Sequence, residues 1–190
     1  MSSERVTTFS EQSEKYWYEF HLQNLSWQYK ACVYHNYLWK HIDVPTQGAV
    51  VQLGAGLGLS LQILSSNFPG RTIGIDLFNP ADHPLITTCD IRLLHDFPVA
   101  YVHCNIGNFD TTPNIRRIAL EWTLKNLVSG GYCCTAGNHE HVDKYLGFDM
   151  QEFAKDYDCE VMELPWDPVL DEMNLQGKYY SGHDCLIKKK

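Results

Sequence analysis

The chain is 190 residues long, 44% hydrophobic and 20% charged, with a formal net charge of −8. That length suits one domain with a sizeable core, and the composition is ordinary for a globular protein. The acidic balance makes nucleic acid a poor partner, no apolar run is long enough to cross a bilayer, and Met1-Ser2-Ser3-Glu4-Arg5 lacks the apolar core of a signal peptide.

The first two elements in chain order read as helices. One covers roughly residues 13–24, with Tyr16 and Phe20 a turn apart. The other covers roughly 26–41, where Trp27, Ala31, Tyr34 and Leu38 form a stripe and Ser26 can cap. Pro45 and Gly48 punctuate the chain before a first strand at 49–53. A helix is expected over 57–67, stopped by Pro69-Gly70, and a second strand over 71–76. Residues 79–84 read as loop, 85–89 as a third strand ending at Asp90, 91–96 as a short helix and 99–105 as a fourth strand. Thr111-Thr112-Pro113 starts a further helix whose face is Ile115, Ile118, Ala119 and Trp122. Gly130-Gly131 is expected to end it, with strand five at 132–136. Leu146, Met150, Phe153 and Tyr157 mark another helix, and strands six and seven are expected at 160–164 and 183–187, around a loop at 165–182.

This alternation predicts an α/β fold. It is a three-layer αβα sandwich with a Rossmann-like, mostly parallel sheet of seven strands, the last antiparallel, and an N-terminal helical extension. Residues 1–190 read as a single domain, with 1–45 a helical cap and 46–190 the core. The seven cysteines include no C-x-x-C, and Cys133 and Cys134 are adjacent in one strand, facing opposite ways. Buried free thiols of this kind suit a reducing compartment, so the expected location is the cytoplasm. The three terminal lysines read as a solvated tail.

The most informative stretch is Val50-Val51-Gln52-Leu53-Gly54-Ala55-Gly56-Leu57-Gly58, followed by Gly74-Ile75-Asp76. It reads as a buried strand, a glycine bend, a helix and a second strand ending in a carboxylate. The spacing is G-x-G-x-G. A dinucleotide fingerprint needs glycine where Leu59 stands, and a P-loop needs a Lys-Ser or Lys-Thr pair that is absent. Between Gly54 and Phe68 there is no Lys or Arg. A nucleoside without phosphates therefore fits better than a pyrophosphate, and S-adenosylmethionine is such a ligand.

Here the chain resembles the class I S-adenosylmethionine-dependent methyltransferases, in VVQLGAGLGLS and IGIDLF. The resemblance implies that Gly54, Ala55, Gly56 and Gly58 line the methionine and ribose of the cofactor. Asp76 would accept from the two ribose hydroxyls, and Leu77 or Phe78 would touch adenine. Gln52 stands where the family usually has an acid; it can bond the loop or the cofactor's amino group without bringing charge. Asp90-Ile91 matches the adenine-contacting position, Asp90 reading equally well as a helix N-cap. Asn105 falls where the family places a polar residue near the sulfonium methyl, and reads equally as a turn residue before Gly107.

The stretch 99–157 is similar to the small-molecule O-methyltransferase branch related to macrocin O-methyltransferase. Many of its members bind a divalent metal through carboxylates after strands four and five. This chain has Cys104, Asn105 and Asn108, then Thr135, Gly137 and Asn138, at those places. Hard cations want charged oxygen ligands, so no metal is expected. Histidine suits a base that takes a proton from an acceptor near neutrality, and His139 and His141, in the loop after strand five, are the candidates. His103, inside strand four, reads as core. Trp17, Tyr18 and Trp166 are candidate walls of an acceptor pocket.

The expected activity is methyl transfer to a small molecule at oxygen, with neither nucleic acid nor membrane as partner and with a homodimer left open. The alternatives are a catalytically inactive nucleoside-binding protein of the same fold and, against Leu59, a nicotinamide-dependent oxidoreductase.

Overall fold

The structure is a computed structural model. It describes residues 19, 22–23, 38–39, 41–104, 113–135, 147–162 and 185–190. The expected helices over 13–24 and 26–41 and the loop over 165–182 fall largely outside these residues. Glu19, Leu22, Gln23 and Leu38 are helical.

The elements are β1 (Ala49–Leu53), α1 (Leu59–Asn67), β2 (Thr72–Asp76), β3 (Ile86–Thr88), a 3-10 turn (Ile91–Leu93), β4 (Val99–Cys104), α2 (Pro113–Asn126), β5 (Leu127–Thr135), α3 (Met150–Lys155), β6 (Cys159–Met162) and β7 (Cys185–Lys189). They build a seven-stranded sheet in the order β3-β2-β1-β4-β5-β7-β6. The pairs from β3 through β5 are parallel, and β7 runs antiparallel between β5 and β6. This is the expected mixed sheet with one reversed strand.

Central parallel strands are covered on both faces and so read as near-continuous apolar runs. All six residues of β4 are buried. On one face Val51, Leu53, Val102 and Cys133 pack with Ala119, Leu120 and Leu124 of α2 and with Met150, Phe153 and Ala154 of α3. On the other, Val50, Tyr101 and Cys134 pack with Leu61 and Leu64 of α1 and with Leu38. The adjacent cysteines 133 and 134 thus point into opposite cores, as their neighbouring positions in a strand require.

Two boundaries differ from expectation for physical reasons. Gly130-Gly131 does not end α2, which stops at Asn126; β5 begins at once and passes through both glycines. Val99 pairs with Leu127 and Tyr101 with Tyr132, so β5 carries surplus residues in a local excursion. Gly130 takes φ 75°, and a Cβ on Gly131 would lie 2.8 Å from the Val128 carbonyl oxygen and 3.1 Å from that of Ala100. The glycines serve a strand irregularity here, not a helix end. The lysine tail is the second correction. Lys188 and Lys189 lie in β7, which has a partner strand on each side. The Lys188 ammonium sits 5.5 Å from the Tyr132 ring centroid, and Lys189 Nζ donates to the Tyr157 carbonyl.

Among the described residues, β6 begins one residue earlier than expected and β7 runs to Lys189, while α1 and β3 are shorter than expected. Of the helix marked by Leu146, Met150, Phe153 and Tyr157, the described part is α3, capped by Asp149, whose side chain accepts from the Gln151 and Glu152 amides; Leu146 lies outside the described residues.

Candidate functional site

The strand order reverses direction at β1: the chain winds out to β2 and β3, then crosses back to β4. In open α/β sheets a crevice opens at the carboxyl ends of strands flanking such a switch. Here the flanking strands are β1 and β4, and the glycine bend leaves β1 at that edge. Gly54, Gly56 and Gly58 take φ values of 74°, 57° and 77°, a left-handed backbone that disfavours side chains. The Gly54 amide donates to the Ile75 carbonyl at 2.9 Å, and the Gly58 amide to the Ala55 carbonyl at 2.9 Å. The first bond ties the bend to the end of β2, and the second closes the bend on itself.

Asp76 is the last residue of β2, and its carboxylate is turned toward the bend. Oδ2 accepts from the Gly56 amide at 2.8 Å, and Oδ1 accepts from the Phe78 amide at 3.2 Å. Burial pushes its pKa above the ordinary carboxylate value, and backbone N–H groups from Gly56, Phe78, Leu77 and Ala55 pull it partly back. An ionised carboxylate offers about four acceptor positions; the Gly56 and Phe78 amides take two at hydrogen-bond distance, with the Leu77 and Ala55 amides also turned toward it. Leu77 is half-buried beside it, and Ala55 and Phe78 are buried.

Gln52 lies on β1 opposite Gly74 and His103. It is 6% exposed, and its Oε1 finds no donor among the described residues. A buried acceptor left without a partner is costly, so one at the foot of a glycine bend fits a ligand that brings its own N–H.

Asp90 holds the N-cap position of the Ile91–Leu93 turn and accepts from the Arg92 amide at 2.9 Å. Its carboxylate also binds the Arg92 guanidinium, which holds its pKa below the ordinary range. The cap reading of the sequence therefore stands, with an arginine that sequence reasoning did not connect to it. Ile91 is buried in the same core cluster as Val51 and Val102.

His103 is in the core, as its place in a strand implied, and burial lowers its pKa from 6.5 to about 4. Burial likewise pushes the Cys104 thiol up to about 12, so neither is ionised near neutrality. The unfolded chain takes up the His103 proton as pH falls through about 6.5, whereas the native state resists until about 4. Stability is therefore lost as pH drops across that window, by about 3 kcal/mol at most. Urea unfolding from pH 7 to pH 4 is expected to show this loss, and a His103→Gln variant is expected to show less of it.

Asn105, His139 and His141, the candidate catalytic residues, lie outside the described residues, as do Asn108, Gly137, Asn138, Trp17, Tyr18 and Trp166. Among the described residues no group of three or more His, Cys, Asp or Glu side chains is placed to hold a metal ion. Among them, too, no helix is long and apolar enough to cross a membrane. Sequence reasoning missed His83. It left 79–84 as plain loop, yet the His83 imidazole lies directly against Gly58.

No family model matches this chain, and no curated protein does. Solved structures do. The plantazolicin methyltransferase BpumL in complex with SAH is 11% identical with a TM-score of 0.57, over 95% of this chain and 91% of that one. SAM-bound CalS10 from Micromonospora echinaspora, an amino pentose methyltransferase involved in calicheamicin biosynthesis, is 13% identical with a TM-score of 0.53, over 97% of this chain and 98% of that one. The chain therefore has the Rossmann-like fold of the class I methyltransferases. Neither likeness bears on the macrocin-related branch suggested by residues 99–157.

Proposed function

We propose that this chain is an S-adenosylmethionine-dependent methyltransferase acting at an oxygen of a small molecule, without an obligatory metal. The observation that carries this is the Asp76 carboxylate, held at the glycine bend by the Gly56 amide at the carboxyl edge of the sheet. The solved methyltransferases of the same fold, crystallised with SAM or SAH, support it.

The described residues fit such a cofactor. Asp76 would hold the two ribose hydroxyls. Gly54, Ala55 and Gly56 would let the backbone approach the methionine and ribose, and Gly58, its side-chain space filled by the His83 ring, would close the bend beside them. Leu77 and Phe78, with Asp90 and Ile91, would border adenine. The Gln52 Oε1 acceptor would take an N–H of the methionine ammonium. The bound cofactor supplies a methyl group on a sulfonium, open to attack by a nucleophile in line with the S–CH3 bond. The protein then has to align the acceptor, exclude water and remove a proton. Asn105 is assigned to the methyl end of the cleft, and His139 or His141 to the base. Residues 1–45 are assigned as a cap on a single domain, and Cys89, Cys104, Cys133, Cys134 and Cys159, which form no disulfide, accord with a reducing compartment.

Gln52 also yields a trade-off. Gln52→Leu removes the unpartnered acceptor at nearly constant volume, so thermal stability is expected to hold or rise, by about 1 kcal/mol. S-adenosylhomocysteine affinity is expected to fall by roughly tenfold in the same variant. Calorimetry on one preparation checks both.

The activity is tested by incubating the protein with S-adenosylmethionine and fractionated metabolite pools, with and without chelator, and measuring S-adenosylhomocysteine release. Turnover unaffected by chelator is the expected result. The neutral Gln52 favours one rival, a nucleoside-binding protein without catalysis, and tight binding with no turnover across broad pools would establish that rival instead.

A further inference from the structure

The connection from β2 to β3 is folded by its own side chains. The His83 amide donates to Asn79 Oδ1 at 2.8 Å, and Asn79 Nδ2 donates back to the His83 carbonyl at 3.1 Å. The Leu85 amide donates to His83 Nδ1 at 3.2 Å, and the Ile86 amide to the His83 carbonyl at 3.1 Å. These bonds fix both the backbone and the ring of His83.

The ring then meets the third glycine of the bend. A Cβ on Gly58 would lie 2.6 Å from His83 Cδ2, 2.8 Å from Cγ and 3.1 Å from Nε2, so ring and backbone are in direct contact. Gly58 is the N-cap of α1 and has no side-chain cap bond; it takes φ 77°. Its carbonyl accepts from the Leu61 amide at 3.1 Å, which starts the helix. Anything that lets Gly58 move thus moves both the exit of the bend and the first turn of α1.

We propose that His83 is a positioning residue for the nucleoside site, its imidazole a plate that holds Gly58, and through it the glycine bend, in the ligand-receiving shape. The identity of the ligand rests on the methyltransferase reading above; the contact does not. The loop that carries His83 also begins one residue after Phe78, so the plate ties the ribose side of the site to the bend. His83 touches the bend, not the reacting atoms, and so acts through Gly58.

The test uses His83→Ala, His83→Asn, Gly58→Ala and the double variant His83→Ala with Gly58→Ala. Asparagine keeps an oxygen that can accept from the Leu85 amide, as such residues do in turns, but lacks the plate. Amide hydrogen exchange of the ligand-free protein is read at 54–58 and, as control, in β4. S-adenosylhomocysteine affinity is read by calorimetry. Both single His83 variants are expected to speed exchange in the bend by about tenfold with β4 unchanged, and to weaken binding by about tenfold. Gly58→Ala is expected to cost more in the wild-type background than in the His83→Ala background, where the added methyl has room, although the strain of φ 77° remains in both. A His83→Asn variant matching wild type in exchange and affinity would overturn the proposal, because loop folding would then be all that His83 does. Equal costs of Gly58→Ala in the two backgrounds would overturn it as well. Faster exchange in the variants of a wild type that takes up no S-adenosylhomocysteine would uphold the plate and sink the methyl-donor reading.

Discussion

Asp76→Ala is expected to weaken S-adenosylhomocysteine binding by roughly 100-fold or more while the chain stays folded. A hydrogen bond to a charged group is worth about 1.5–3 kcal/mol, and two ribose hydroxyls would each make one. The cost to the fold is smaller because two effects oppose. The variant leaves the Gly56 and Phe78 amides without their acceptor. It also removes a carboxylate whose pKa is raised by burial. The sign of the pH dependence follows from that raised pKa. The native state holds the Asp76 proton at pH values where the unfolded chain has lost it. The stability from this source is present below the ordinary 3.8 and is lost as pH rises through the folded value. Ligand binding runs the other way: it needs the ionised acceptor and fails as pH falls below that folded value. Circular dichroism and calorimetry on Asp76→Ala and Asp76→Asn check both halves. An unfolded alanine variant would leave Asp76→Asn, with one acceptor oxygen retained, to carry the affinity comparison.

Gly74→Val is expected to be the most destabilising single change near the site. Gly74 lies in β2 beneath α1, and a Cβ there would stand 2.5 Å from Leu61 Cδ1, 3.0 Å from Ala55 Cβ and 3.1 Å from Ile86 Cγ1. Valine adds two further carbons to a space already filled. Overpacking of this kind costs about 3 kcal/mol, which in a chain of this size lowers Tm by roughly 10 °C. The end of the Leu61 side chain can turn aside but the Ala55 Cβ cannot, so relief displaces the bend and the start of the helix that follows it. Affinity for S-adenosylhomocysteine is therefore expected to fall by about tenfold even where the variant is folded. Unchanged affinity in the folded fraction would show that helix and bend are not rigidly coupled.

Much of this architecture is legible in the residues. The run Ala49–Leu53 is a central strand because nothing in it needs water except Gln52, and the structure leaves Gln52 buried with an idle acceptor. The G-x-G-x-G spacing with an acid two positions after Gly74 is a local pattern, so bend and carboxylate meet as expected. What failed depended on non-local pairing. Gly130-Gly131 reads as a helix stop by composition, but the pairing of β5 with β4 and β7 recruits it into a strand. Lys188 and Lys189 read as tail by charge, yet flanking strands on both sides make them the end of β7. The His83 contact was invisible for the same reason. A histidine in a Pro- and Asp-containing loop carries no signal that it will lie on a glycine 25 positions earlier.

The central claim is that a glycine bend and the acid beside it together grip the sugar of a sulfonium nucleoside. A crystal structure of the protein soaked with S-adenosylhomocysteine tests it most directly. The account predicts both ribose hydroxyls within hydrogen-bonding distance of the Asp76 carboxylate, with the Gly56 amide still on Oδ2. Ligand bound elsewhere, or a ribose that leaves Asp76 untouched, would contradict it.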